Sequence, residues 1–153
     1  MASLNAVFAG DLVVGESYPI GSYLISREAI LEFAGEWDPQ PIHMDDEIAA
    51  RGFYDGIIAS GLHTLCIFQK LAVTHVYRDW EIIAGRGIRD LQFLRPVRPE
   101  MTLTGTVTIT AIEPRDESRS LVHKFGELFN DAGELVFTMR AEAYMRVRID
   151  PTG

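Results

Sequence analysis

Hydrophobic and polar positions are patterned differently in the two halves of the chain. The run from about 18 to 25, Tyr-Pro-Ile-Gly-Ser-Tyr-Leu-Ile, reads as a strand, and Ser26 stands where a helix N-cap belongs. In the segment behind it, Ile30, Leu31, Phe33 and Ala34 form an apolar face, so a short helix is expected there, ending near Gly35. The next stretch, Glu36-Trp37-Asp38-Pro39-Gln40-Pro41-Ile42-His43, carries two prolines that remove backbone donors and restrict their neighbours, which predicts a rigid loop, extended or turning. Asp45, Asp46 and Glu47 then open another short helix with acidic residues at the favourable end, expected to stop before Gly52. From Leu62 to about Tyr77 the chain is apolar on most sides (Leu62, Leu65, Cys66, Ile67, Phe68, Leu71, Ala72, Val73, Val76), the pattern of a buried central helix. It is interrupted by His63, Gln69, Lys70 and His75, and is too short and too polar to cross a bilayer.

The second half changes to period two. Strands are expected at about 87–94 and 102–112, where Leu103, Val107, Ile109 and Ala111 alternate with threonines, and at about 120–129. Asn130-Asp131-Ala132-Gly133 makes a hairpin turn. In the last strand Leu135, Phe137, Met139, Ala141, Ala143, Met145 and Val147 point one way, and Thr138, Arg140, Glu142, Tyr144 and Arg146 the other, giving one buried face and one that is wet or at an interface. The resulting order is a strand, short helices, a long apolar helix and four more strands: an α+β fold in which an antiparallel sheet wraps the helix. A length of 153 residues with 47% hydrophobic content suits one domain, 1–153, with its core at about 17–148. The first few residues and Pro151-Thr152-Gly153 read as loose ends.

Charge and cysteine usage narrow the function classes. With 22 acidic against 14 basic side chains, the net charge of −8 argues against nucleic acid or an anionic membrane as partner. Arg86, Arg89, Arg95 and Arg98 nonetheless fall in one short stretch and offer contacts to a ligand phosphate, or equally a solvated strand face or ion pairs. The single cysteine, Cys66, flanked by Leu65 and Ile67, reads as a buried thiol and offers neither a disulfide nor a multi-cysteine metal site. The N-terminus shows no basic segment followed by an apolar run, so a cytoplasmic location is expected.

Four segments together resemble the MaoC-like hydratase family, which includes the R-specific enoyl-CoA hydratases and related acyl dehydratases. They are Phe33-Ala34, Asp38-Pro39-Gln40-Pro41-Ile42-His43-Met44-Asp45, Ala59-Ser60-Gly61-Leu62-His63-Thr64, and Phe93-Leu94-Arg95-Pro96-Val97-Arg98-Pro99-Glu100. The similarity runs from about Ser17 to Arg148. Its most specific element is Asp38 followed five residues later by His43 in a proline-bearing loop, with Gly61 opening the long helix eighteen residues further on. The chain departs from the commonest form of the motif at Gln40, where asparagine is frequent, and at Trp37, where glycine is frequent; the indole there is expected to bear on the pocket and the choice of acyl chain. The resemblance implies a hotdog fold, a homodimer or higher homo-oligomer with active sites at or near the subunit interface, and a tunnel for the acyl-pantetheine arm.

The same residues suit the chemistry that the resemblance implies. Hydration of a 2-enoyl thioester needs a base for water, an acid for the α-carbon and donors for an enolate-like oxygen. Asp38 and His43 are the expected catalytic pair, gripping one water between carboxylate and imidazole. The Gly61 N–H at a helix start is the expected donor to the thioester oxygen, and glycine there permits close approach. Ser60, His63 and Gln69 are placed to line the tunnel, although capping or packing accounts for them equally well; His75 and His123 read as structural or exposed. No metal or redox cofactor is expected, because Asp38, His43, Asp45, Asp46 and His63 lack a recognised ligand spacing; coenzyme A enters as part of the substrate. Two other readings of this sequence remain: a thioesterase on the same fold, and a non-catalytic acyl-thioester-binding subunit.

Overall fold

The computed structural model describes residues 4–150, so the proposed loose ends at 1–3 and 151–153 lie outside the described residues. Nine main elements follow in order: β1 (Ser17–Ile25), α1 (Arg27–Trp37), α2 (Pro41–Met44), α3 (Asp46–Arg51), α4 (Gly61–His75), β2 (Ile82–Phe93), β3 (Met101–Pro114), β4 (Arg119–Phe129) and β5 (Leu135–Arg146). The five strands form one antiparallel sheet in the order β1-β3-β4-β5-β2, leaving β1 and β2 at its edges. α4 lies on the inner face of that sheet, which is the hotdog arrangement. Phe68 anchors the helix: its ring centroid is 5.5 Å from that of Phe137 on β5, and it is fully buried among Ile67, Leu71, Ile20, Leu103 and Val107. No helix among the described residues is long and apolar enough to cross a membrane.

Local chemistry explains the element boundaries. Ser26 caps α1, its hydroxyl accepting from the Ala29 N–H at 3.1 Å. The helix does not stop at Gly35 as the sequence suggests but continues to Trp37, because the effective terminator is Pro39. A residue before proline is disfavoured in the helical region, and Asp38 accordingly takes φ −153, ψ 70. The stretch expected to be a loop contains a helical turn, α2, with Pro41 at its first position, where a missing N–H costs nothing. Asp45 ends that turn and caps α3 by accepting from the Ile48 N–H at 3.0 Å. β2 starts at Ile82, five residues before the expected strand, through a run broken by bulges.

Two burial expectations are corrected. α4 is not enclosed on all sides in the single chain: Leu62, Cys66, Gln69 and Val73, spaced four, three and four apart, form an exposed stripe. Cys66 is therefore exposed, not a buried thiol, because it falls on the stripe turned away from the sheet. Nor is the polar face of β5 simply wet. Glu142 is only 7% exposed, held by Arg89 at 2.7 Å with His123 at 3.4 Å and Arg86 at 3.9 Å.

Candidate active site

The two prolines, the α2 turn and the start of α4 bring Asp38, His43 and Ser60 together. His43 Nε2 lies 3.3 Å from Asp38 Oδ2. The other ring nitrogen, Nδ1, is 2.7 Å from the carbonyl oxygen of Ile58. A carbonyl can only accept, so Nδ1 carries the proton and, in the neutral ring, Nε2 presents a lone pair toward Asp38. His43 itself is buried, whereas Asp38 keeps a side-chain exposure of 19%.

Asp38 is held by two neutral donors. Gln40 Nε2 donates to Oδ1 at 2.7 Å and the Ser60 hydroxyl donates to Oδ2, also at 2.7 Å. These hydrogen bonds hold the carboxyl below the usual carboxylate range against the opposing effect of burial. The carboxylate is thus ionised at neutral pH. Gln40, singled out in the sequence as a departure from the commoner asparagine, has a direct structural use.

Ser60 occupies the N-cap position of α4, yet its side chain makes no cap hydrogen bond, because the hydroxyl is directed to Asp38. Its carbonyl accepts from the His63 and Thr64 amides at 3.0 and 3.2 Å. The Gly61 amide, one residue into a fifteen-residue helix, is one of the terminal N–H groups that have no intrahelical acceptor. Gly61 lines a cavity of about 150 Å³ together with His43, Thr64, Phe93, Arg95 and Val136. A Cβ at this glycine would meet the Phe93 ring at 2.6 Å, so the close approach depends on a missing side chain.

Other sequence candidates fall elsewhere. His63 is buried beside the site with its ring stacked on Phe33, centroids 4.5 Å apart and planes 7° from parallel, and it does not line the cavity. Burial pushes its pKa down, and its Nδ1 has no hydrogen-bond partner among the described residues. Trp37, at the end of α1, is 65% exposed and also stands outside the cavity lining. Gln69 lies further along α4, away from the pair. His75 is exposed, while His123 pairs with Glu113 and Glu142. The four arginines divide: Arg95 lines the cavity and donates to the Leu135 carbonyl at 2.6 Å, Arg98 donates to the Tyr54 carbonyl, and Arg86 and Arg89 serve Glu142. Among the described residues no group of three or more His, Cys, Asp or Glu side chains is placed to hold a metal ion.

The sequence reading did not single out Tyr54, Ile58, Phe93 or Val136 as site residues. Ile58 acts through its carbonyl, for which no side-chain pattern exists. Phe93 opens one of the four segments that carry the resemblance, and Tyr54 lies in the glycine-bounded stretch from Gly52 to Gly56.

Comparison with known proteins agrees with this geometry. The sequence model of the family described as MaoC like domain matches residues 10–127, a span that includes Asp38, His43 and Gly61. The uncharacterized protein YdeM of Bacillus subtilis is 32% identical over 127 residues, covering 83% of this chain and 90% of its own length. The crystal structure of a MaoC-like dehydratase from Rhodospirillum rubrum superposes with a TM-score of 0.86 at 33% identity, covering 95% of this chain and 100% of that one. A monoamine oxidase regulatory protein from Archaeoglobus fulgius gives a TM-score of 0.90 at 27% identity, covering 97% and 99%. With its Asp38 and His43 on the proline-bearing loop and Gly61 at the helix start, the chain belongs to the MaoC-like dehydratase family.

Proposed function

We propose that the protein is a hydro-lyase of the R-specific enoyl-CoA hydratase type, adding water across the 2,3 double bond of an acyl-CoA thioester or removing it from the 3-hydroxyacyl form. The observation that carries this reading is the pairing of an ionised Asp38 carboxylate with the lone-pair nitrogen of His43, 3.3 Å apart, beside the Gly61 amide. Two acceptors facing one water can each take one of its hydrogens, which leaves an oxygen lone pair free to attack C3 of the enoyl group. The proton removed is returned to C2, so the pair serves as base and then as acid. In this reading the Gly61 N–H, at the positive end of α4, stabilises the enolate-like oxygen as charge develops there. Membership of a dehydratase family and similarity to the Rhodospirillum protein support the reaction class.

The test follows loss of enoyl-thioester absorbance with crotonyl-CoA and longer 2-enoyl-CoAs, with free thiol assayed in parallel. Asp38→Asn and His43→Ala are each expected to lower kcat/KM by about 10²–10⁴, the usual contribution of a general acid–base group. Unchanged turnover in both variants would overturn the proposal. Thiol release without hydration would transfer the site to thioester hydrolysis.

The reading also takes the chain as a homodimer or higher homo-oligomer. β2 is an edge strand that exposes Ile83, Ile88 and Phe93, and the exposed stripe of α4 adds Leu62 and Val73.

A further inference from the structure

The cavity at His43 and Gly61 is also lined by the loop that leaves β2, through Leu94, Arg95, Pro96 and Val97, and by Tyr54. In a chain with 22 acidic and 14 basic side chains, this lining contains no Asp or Glu, and Arg95 is its one permanently charged member. The chemistry assigned to Asp38 and His43 makes no use of that charge. Arg95 is oriented without being saturated. Its Nη1 donates to the Leu135 carbonyl at 2.6 Å, and its Nε faces the Glu134 carboxylate at 3.3 Å. Glu134 is itself fixed by the Asn130–Gly133 turn, accepting from Asn130 Nδ2 at 3.1 Å while its backbone N–H donates to Asn130 Oδ1 at 2.9 Å. A guanidinium carries five N–H donors in a planar fork, and among the described residues no acceptor is recorded for the two on Nη2 of Arg95.

The pair with Glu134 leaves the two side chains 46% and 51% exposed, and an exposed ion pair contributes little to stability, so the fold has slight need of this charge. Three residues on, Arg98 brings a second guanidinium to the same wall. It donates to the carbonyl of Tyr54, and among the described residues no carboxylate lies within 4.0 Å of it. Two arginines with spare donors, beside a cavity without acidic lining, suit an anion that accepts several hydrogen bonds at once, as a phosphate does.

We propose that Arg95, supported by Arg98, holds the 4′-phosphate of a phosphopantetheine arm and so selects phosphorylated acyl thioesters over phosphate-free ones. The inference rests on the hydro-lyase reading, in which the thioester lies at Gly61 and the arm leaves the cavity along the loop between β2 and β3. A net charge of −8 gives a phosphorylated substrate no long-range attraction, so its recognition depends on local cations of this kind. Lysine in place of Arg95 would keep the charge and lose the fork, which makes the two separable by substitution.

The experiment compares crotonyl-pantetheine, crotonyl-4′-phosphopantetheine and crotonyl-CoA as substrates of the full chain in its own assembly state. It is run on wild type, Arg95→Gln and Arg95→Lys, with circular dichroism confirming each fold. Wild type is expected to show a kcat/KM about tenfold or more higher for crotonyl-4′-phosphopantetheine than for crotonyl-pantetheine. Arg95→Gln is expected to lose most of that advantage through KM, with kcat falling far less, and Arg95→Lys to recover part of it. An advantage retained in Arg95→Gln would overturn the proposal. So would an equal fall on all three substrates, which marks a structural role, or an advantage seen only with crotonyl-CoA, which places the contact at the nucleotide. Coenzyme A and a carrier protein both present this phosphate, and a crotonyl-loaded acyl-carrier protein assayed beside crotonyl-CoA distinguishes them: an Arg95-dependent KM with either supports the anchor, and dependence in neither overturns it. Calorimetry with coenzyme A and with pantetheine, on wild type and Arg95→Gln, separates this proposal from the hydro-lyase reading. Coenzyme A binding that exceeds pantetheine binding only while Arg95 is present, without hydration of any substrate, would uphold the anchor and overturn the hydro-lyase. Hydration at equal kcat/KM with and without the phosphate would do the reverse.

Discussion

Ser60 carries two possible duties, and its geometry shows which one it performs. At the N-cap of α4 its hydroxyl would ordinarily accept from a helix amide; here it donates to Asp38 and, with Gln40, keeps that carboxyl ionised. Hydrogen bonds to charged groups contribute about 1.5–3 kcal/mol, and one pKa unit corresponds to about 1.4 kcal/mol. Ser60→Ala and Gln40→Ala are each expected to raise the Asp38 pKa, moving the acid limb of the kcat/KM profile to higher pH. The direction follows because the base works only when ionised, so a higher pKa withdraws it sooner as pH falls. A pH–rate profile of the two variants checks this, and an acid limb that stays in place would separate these donors from catalysis. The same lowered pKa makes Asp38 stabilise the fold above the ordinary carboxylate range, an increment lost as pH drops through its folded value. Lys124 has the opposite sign of effect on stability. Its folded pKa of about 8, held down by burial, lies below the ordinary lysine value of 10.5, so the folded chain binds fewer protons than the unfolded chain between these values and stability rises with pH there. Lys124→Met is expected to remove that rise and to stabilise the protein at pH 7 by roughly 1–3 kcal/mol, read by urea denaturation at pH 7 and 10.

At the scale of elements, the seating of α4 on the sheet depends on what β4 lacks as much as on what it contains. Gly126 faces the helix, and a Cβ there would overlap the Phe68 ring, which is fully enclosed and has nowhere to retreat. Gly126→Ala is expected to destabilise the fold by about 1–3 kcal/mol through overpacking, measured by thermal or urea unfolding, and to lower activity only to the extent that Gly61 moves with the helix. Ser26, Asp45, Pro39 and the Asn130–Gly133 turn show which boundaries were legible in the sequence. Each acts on its own neighbours, through a cap, a restricted dihedral or a tight turn, so the local sequence contains its cause; the end of α1 at Pro39 in place of Gly35, the α2 turn and the early start of β2 depart from the local pattern. Asp38, His43 and Gly61 were legible as a motif, and the structure brings the first two within 3.3 Å. Cys66 and Glu142 were not legible, because their environments come from distant partners. Cys66 is exposed because the sheet covers the other side of α4, and Glu142 is buried because Arg86, Arg89 and His123 arrive from two neighbouring strands. The orienting carbonyl of Ile58 is a backbone atom and leaves no trace in side-chain pattern.

For the molecule as a whole, the surface left by a single chain argues for a partner of the same kind. The apolar stripe of α4 and the outer strand β2 together present Leu62, Val73, Ile83, Ile88 and Phe93 to solvent, and β2 adds an unpaired row of backbone groups. Among the described residues the other sheet edge is β1, where Leu24 is exposed and against which α4 packs. Strand pairing across β2 would satisfy the backbone groups and cover the apolar side chains in one step, and a two-fold arrangement closes without leaving a further edge of this kind. The cavity at His43 and Gly61 borders this region through Phe93, so assembly and the proposed activity are expected to fall together. Ile88→Lys places a charge on the open strand, about half exposed in the single chain, and is expected to shift the protein from dimer to monomer in sedimentation velocity while circular dichroism remains unchanged. Hydration activity should fall in the monomer and recover partly at high protein concentration, because mass action restores the pairing. A wild type that sediments as a monomer with full activity would show instead that the exposed stripe serves no assembly and that the site at Asp38 and His43 is complete within one chain.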